Sequence, residues 1–146
     1  PMVLLNPYSV EMGTGGLLLQ VESREEIFAD KLLAFALRPN RLKARDLWDI
    51  AWLTQQGIAP AWELLELKLK DHQCVSSEYL ELFSKRTESL RSDPSVEREF
   101  KKEMQRFLPP NIVSQTINND DYWEYLIGLL IDLKMKNIRQ LAVKEF

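Results

Sequence analysis

The sequence predicts a mainly α protein, a multi-helix bundle with a short N-terminal β-hairpin, and three observations predict it. From Ser23 onward apolar residues recur with helical spacing. Serine, aspartate, proline and glycine punctuate that stretch as helix starts and stops. Only residues 1–22 read differently, as two extended runs around a glycine-rich turn. At 146 residues the chain can bury a core of its own. Its 45% apolar and 28% charged residues give a globular balance rather than a disordered one.

The hairpin is expected over 3–11 and 17–22, joined by Met12-Gly13-Thr14-Gly15-Gly16. Two strands alone are marginal in water and need a partner surface. Ser23, with Glu26 three residues later, forms a capping box that opens the first helix. Pro39 ends it near Arg38. A second helix follows over 44–56, with a broad apolar face from Leu47 to Leu53, and Gly57 closes it. A third starts at Pro60, a favoured first-turn residue, and runs to about Asp71. Ser76 or Ser77 caps a fourth that ends near Arg91. Asp93-Pro94 opens a fifth, which Pro109-Pro110 ends. Residues 111–117 add a single turn, and Asp120 or Asp121 caps a long last helix reaching Ala142. The chain thus divides into a hairpin, 1–22, and a helical domain, 23–146. Pro1 runs at once into a strand-like segment, which reads as a truncated start.

Composition excludes several classes. No apolar run approaches the roughly 18 residues that span a bilayer; the stretch 125–133 comes closest, and Asp132 with Asp121 and Glu124 breaks it up. No secretory signal is visible, and the single cysteine, Cys74, excludes an internal disulfide and a cysteine zinc cluster. A cytoplasmic location with no membrane partner is the expectation. The net charge of −3 offers no global attraction for nucleic acid. Basic character is local, in Arg38, Arg41, Lys43 and Arg45 and again in Lys134, Lys136, Arg139 and Lys144.

The candidate site lies where the first two helices meet. Lys31 and Arg38 are seven residues apart, so both project from nearly the same side of helix one. Asp46 and Asp49 share a face in the opening turn of helix two. Two cations facing two carboxylates is costly unless they pair or grip a ligand. Each residue also has a plain structural reading. Lys31, flanked by Ile27, Phe28, Leu32, Leu33 and Phe35, can snorkel to water or point at an anion. Acidic residues in a first turn complement the helix dipole, and Arg45 with Asp49 forms an i,i+4 pair in the less favourable order. The pattern leaves both readings open. His72 and Cys74 lack partners for a metal or a nucleophile dyad. Trp48, Trp52 and Trp62 have the spacing of core residues. Gly13-Thr14-Gly15-Gly16 lacks the Lys-Ser/Thr ending of a phosphate loop.

The run V-E-S-R-E-E-I-F-A-D-K-L-L-A-F-A-L-R, followed by R-D-L-W-D-I-A-W-L, resembles the AbiEii/AbiGii toxin family of nucleotidyltransferases over residues 21–53. In that family the stretch reads approximately E-E-hydrophobic-x-A-x-K-L-x-A-x-x-x-R, a loop, then R-D-x-x-D. The resemblance implies an N-terminal α/β domain with a G-S motif and a metal-binding D-x-D pair, followed by a helical C-terminal region. It implies transfer from a nucleoside triphosphate with Mg2+, in some members onto a tRNA end, and a cognate antitoxin as partner. Lys31 is then expected to contact the triphosphate and Asp46 to support the site as the two catalytic residues. Arg38, Arg45 and Asp49 match flanking positions as substrate-binding residues, and no metal ligand is assigned here.

The chain contains neither D-x-D nor G-S. Phosphoryl transfer depends on metal ions to neutralise charge on the transferring group. The expectation is therefore a C-terminal portion, inactive alone, whose hairpin is the trailing edge of a missing nucleotidyltransferase sheet. The alternative is a non-catalytic helical module for antitoxin docking or self-association. It would use the exposed strand edge and the apolar face Tyr122, Trp123, Leu126, Leu130 and Leu133 of the last helix. A further expectation is RNA binding at the basic patch from Arg38 to Arg45, steeply dependent on salt.

Overall fold

The computed structural model describes residues 22–39 and 41–142. The expected hairpin, the domain boundary after residue 22 and the C-terminal Lys144 lie outside the described residues, apart from Glu22 at the hairpin's end. Among the described residues there are seven helices: α1 Arg24–Leu37, α2 Ala44–Gln55, α3 Trp62–Asp71, α4 Ser76–Ser92, α5 Pro94–Phe107, α6 Pro110–Gln115 and α7 Tyr122–Ala142. The mainly helical expectation holds.

Local chemistry sets several ends. Ser23 Oγ accepts the Glu26 N–H at 3.1 Å, one half of the expected capping box. Arg38 turns to extended backbone before Pro39, where helical geometry would clash with the ring. Gly57 adopts φ +74°, the left-handed turn that closes α2. Asp93 Oδ1 accepts both the N–H and the hydroxyl of Ser95, so α5 starts at Pro94 as expected.

Three starts differ from expectation. The third helix begins at Trp62, not Pro60, because the Ala61 N–H donates to the Glu25 carbonyl at 2.9 Å and holds Ala61 outside the helix. Ser76 is already helical; Val75 occupies the cap, and no side chain bonds to that helix start. The turn expected over 111–117 is a short helix from Pro110. Before α7, Asn119 Oδ1 accepts the Asp121 N–H at 2.9 Å.

α1 sits at the middle of the bundle, packed on α2, α3 and α4, and α4 in turn packs on α5 and α7. Phe35 and Phe83 join α1 to α4 with ring centroids 5.0 Å apart. Tyr79, on α4, is fully buried, and its hydroxyl donates to Asn137 Oδ1 on α7 at 2.7 Å. The Trp123 indole N–H donates to the Leu90 carbonyl, which closes the α4–α7 seam. Trp48 and Trp52 are buried, as their spacing suggested. Trp123, Leu126, Leu130 and Leu133 are buried as well. Those four therefore belong to the core and do not offer the docking face considered from sequence. The exposed apolar residues of α7 are Tyr125, Ile131 and Met135. No helix among the described residues is long and apolar enough to cross a membrane.

Candidate functional site

The helix spacing does what the sequence suggested at the α1–α2 corner. Seven residues bring Lys31 and Arg38 round to one side of α1, and α2 enters that side with its first turn. Lys31 Nζ lies 3.0 Å from Asp46 Oδ1 and 3.0 Å from Asp49 Oδ2. Arg38 donates from Nε at 3.1 Å and from Nη2 at 2.8 Å, both to Asp46 Oδ2. Asp46 thus receives both cations, one on each oxygen.

The carboxylates are buried and the cations reach the surface. The Asp46 side chain is 3% exposed and that of Asp49 5%, against 24% for Lys31 and 37% for Arg38. Burial alone would lower the Lys31 pKa, but the two aspartates outweigh it and hold the value above its ordinary one. Lys31 is therefore a persistent cation and not a proton acceptor near neutral pH. The ammonium and the guanidinium each carry more N–H groups than these bonds use. Both side chains are part-exposed, so the remaining donors are open to the oxygens of a phosphate.

Behind the corner, Arg86 on α4 donates from Nη2 to the Arg38 carbonyl at 2.7 Å and fixes the end of α1. Its own pKa is lowered by burial and by the nearby Arg38 charge. Sequence reasoning missed Arg86. A signal was present: the positions three and four residues either side are Leu82, Phe83, Ser89 and Leu90, so the helix supplies it no acidic partner.

Arg45 departs from expectation. It is exposed and its guanidinium lies 5.3 Å from the Phe107 ring centroid. Asp49 pairs with Lys31, so the expected Arg45–Asp49 pair is replaced by contacts between helices. The structure brings Lys31, Arg38, Asp46 and Asp49 together and leaves Arg45 outside. Arg41, from the same basic patch, pairs with Glu99 on α5.

Hard divalent ions take carboxylate oxygens, but both aspartates here are already engaged by cations at 2.8–3.1 Å. The corner does not suit a divalent metal. A second acidic group lies near the other end of α1, where Glu22, Glu26 and Asp30 bring carboxylate oxygens within 4.8 Å of one another. Lys68 on α3 balances it, 2.9 Å from Asp30 and 3.9 Å from Glu26.

The family model of the nucleotidyl transferase AbiEii toxin, type IV toxin–antitoxin system, matches residues 2–126. The chain belongs to the AbiEii family. The match extends far beyond residues 21–53, taking in the segment before α1 and the helices through the first turn of α7. No curated protein and no solved structure matches the chain. Within this AbiEii member the α1–α2 corner falls wholly inside the matched region.

Proposed function

We propose that the chain is the helical portion of a toxin-type nucleotidyltransferase and presents Lys31 and Arg38 to the phosphates of a nucleoside triphosphate. Asp46 and Asp49 act as positioning residues: they hold the two cations at a fixed separation and keep them charged. The metal-binding carboxylates are supplied by a nucleotidyltransferase domain outside these residues, since the corner's aspartates are committed to Lys31 and Arg38. The acceptor is a nucleic-acid end or another nucleophile brought to the triphosphate by that assembly.

One observation carries this reading. Within a segment matched to a nucleotidyl transferase family, a lysine and an arginine converge on one buried carboxylate and keep part-exposed donors. Preorganised cations of this kind stabilise charge developing on a transferring phosphoryl group without reorganising. The same donors bind the ground-state phosphates, so both affinity and turnover depend on them.

The test is nucleotide transfer by the intact protein with labelled nucleoside triphosphates and Mg2+. Lys31→Ala and Arg38→Ala are each expected to lower transfer by about a hundredfold, with the cooperative melt retained. Asp46→Asn keeps the shape but releases one charge, and it should raise KM more than it lowers kcat. Turnover at the wild-type rate in Lys31→Ala would overturn the reading.

A further inference from the structure

A cavity of about 420 Å³ lies between the end of α1, the start of α2, α4 and α5, next to the corner. That volume falls in the range of small-molecule sites. Leu82, Val96 and Phe100 give it an apolar wall, and Arg86, Ser89 and Ser95 contribute polar groups.

The charges around it are unequal in a telling way. Arg41 is paired with Glu99, and Lys85 with Glu81. Arg86 has no carboxylate within 4.0 Å among the described residues, and only its Nη2 is bonded, to the Arg38 carbonyl. A half-buried guanidinium beside another cation and without a counter-ion is unfavourable unless an anion completes it. The planar fork suits two phosphate oxygens. Asp93, Glu99 and Glu103 line the same cavity. They offset Arg41, Lys85 and Arg86 around the same cavity, so the lining has no excess positive charge for a triphosphate and suits a ligand with a single phosphate.

We infer that this cavity binds one phosphorylated nucleoside unit, its phosphate on Arg86 and its base against Leu82, Val96 and Phe100. The inference rests on the nucleotidyltransferase reading and adds a second nucleotide position to it. Because Arg86 holds the carbonyl of Arg38, the two positions share the end of α1. A unit seated here lies beside the proposed triphosphate contacts, where the nucleotide on the acceptor side belongs.

The experiment is titration of the intact protein with each of the four ribonucleoside monophosphates, followed through the methyl signals of Leu82 and Val96. At least one monophosphate is expected to move both. Arg86→Gln should weaken that affinity about tenfold or more, the effect of one lost charge-assisted bond or two, and Arg86→Lys should fall between. Val96→Phe, which narrows the cavity and leaves the guanidinium, should also abolish the shifts. A thermal melt of each variant confirms folding.

A short RNA ending in the same nucleotide separates the two sources of that unit. Displacement of the monophosphate by the RNA identifies a strand end, and displacement by mononucleotides alone identifies a free nucleotide; both support the pocket. Unmoved methyls with all four monophosphates, or wild-type affinity in Arg86→Gln, would overturn it. Binding is read without turnover, so failed transfer would sink the function proposed above and leave the pocket standing.

Discussion

The two ends of α1 carry the same kinds of residue in opposite arrangements. At the C-terminal end two buried aspartates are covered by two cations that reach the surface. Near the N-terminal end Glu26 and Asp30 pair with Lys68, with Glu22 beside them, and all are part-exposed or exposed. The difference lies in which charge has lost its water. A buried carboxylate depends on its partner, whereas an exposed one falls back on solvent.

Removing one carboxylate at each end should break the comparison most sharply. Asp46→Ala strands Arg38, leaves Lys31 with Asp49 alone and removes the acceptor of three contacts. A loss of about 2–4 kcal/mol is expected, toward the lower part of the range for buried pairs because both cations can turn outward. Asp30→Ala removes a part-exposed partner of Lys68 and should cost less than about 1 kcal/mol. Urea unfolding of both variants reads the contrast directly. Equal midpoints would mean that burial does not separate the two ends.

A neutral buried pair sharpens the point. Tyr79→Phe leaves the fully buried Asn137 Oδ1 without the hydroxyl that donates to it. The expected loss is about 1–2 kcal/mol by urea unfolding, between the two charged cases. A loss as large as that of Asp46→Ala would show that the corner's charge matters less than its burial.

Features set by neighbours in sequence were legible, and features set by distant partners were not. Ser23, Pro39, Asp93-Pro94 and Gly57 act within a turn of themselves, and the helix ends they set lie where the sequence placed them. Lys31, Arg38, Asp46 and Asp49 were legible because helical spacing fixes sides, and only residues 38–43 separate the two helices. Pro60 was misread because the Ala61 N–H answers to Glu25 across the fold. Arg45 was misread because Phe107, on α5, competes with Asp49 four residues away. Arg86 was overlooked because its partner is a distant backbone carbonyl, and its mark in the sequence is only the lack of an acidic neighbour one turn away.

The ends of α1 should also answer to pH, with the same sense but in different windows. Lys31 is held above its ordinary pKa of 10.5. Its contribution is complete below that value and is lost only as pH rises through the higher folded one. The stability difference between wild type and Lys31→Met, measured by urea unfolding, should therefore stay flat from about pH 6 to 9.

Glu22 gives the smallest effect and the one most specific to the exposed end. Burial, then Asp30 and Glu26, push its pKa from 4.5 to about 7. A carboxylic acid whose folded pKa is raised stabilises the fold while protonated, below 4.5, and that contribution is lost as pH rises through about 7. Ionised Glu22 then repels Glu26 and Asp30, with Lys68 as the cation set against all three. Glu22→Gln, which is neutral at every pH, should match wild type near pH 4 and melt about 1 °C higher at pH 8, the small size expected of an exposed group. The same substitution should leave the corner's response to Asp46→Ala unchanged, because among the described residues no ion pair joins the two clusters. A Glu22→Gln variant that melts lower than wild type at pH 8 would mean that the ionised carboxylate is gripped by Lys68 and not crowded by its acidic neighbours.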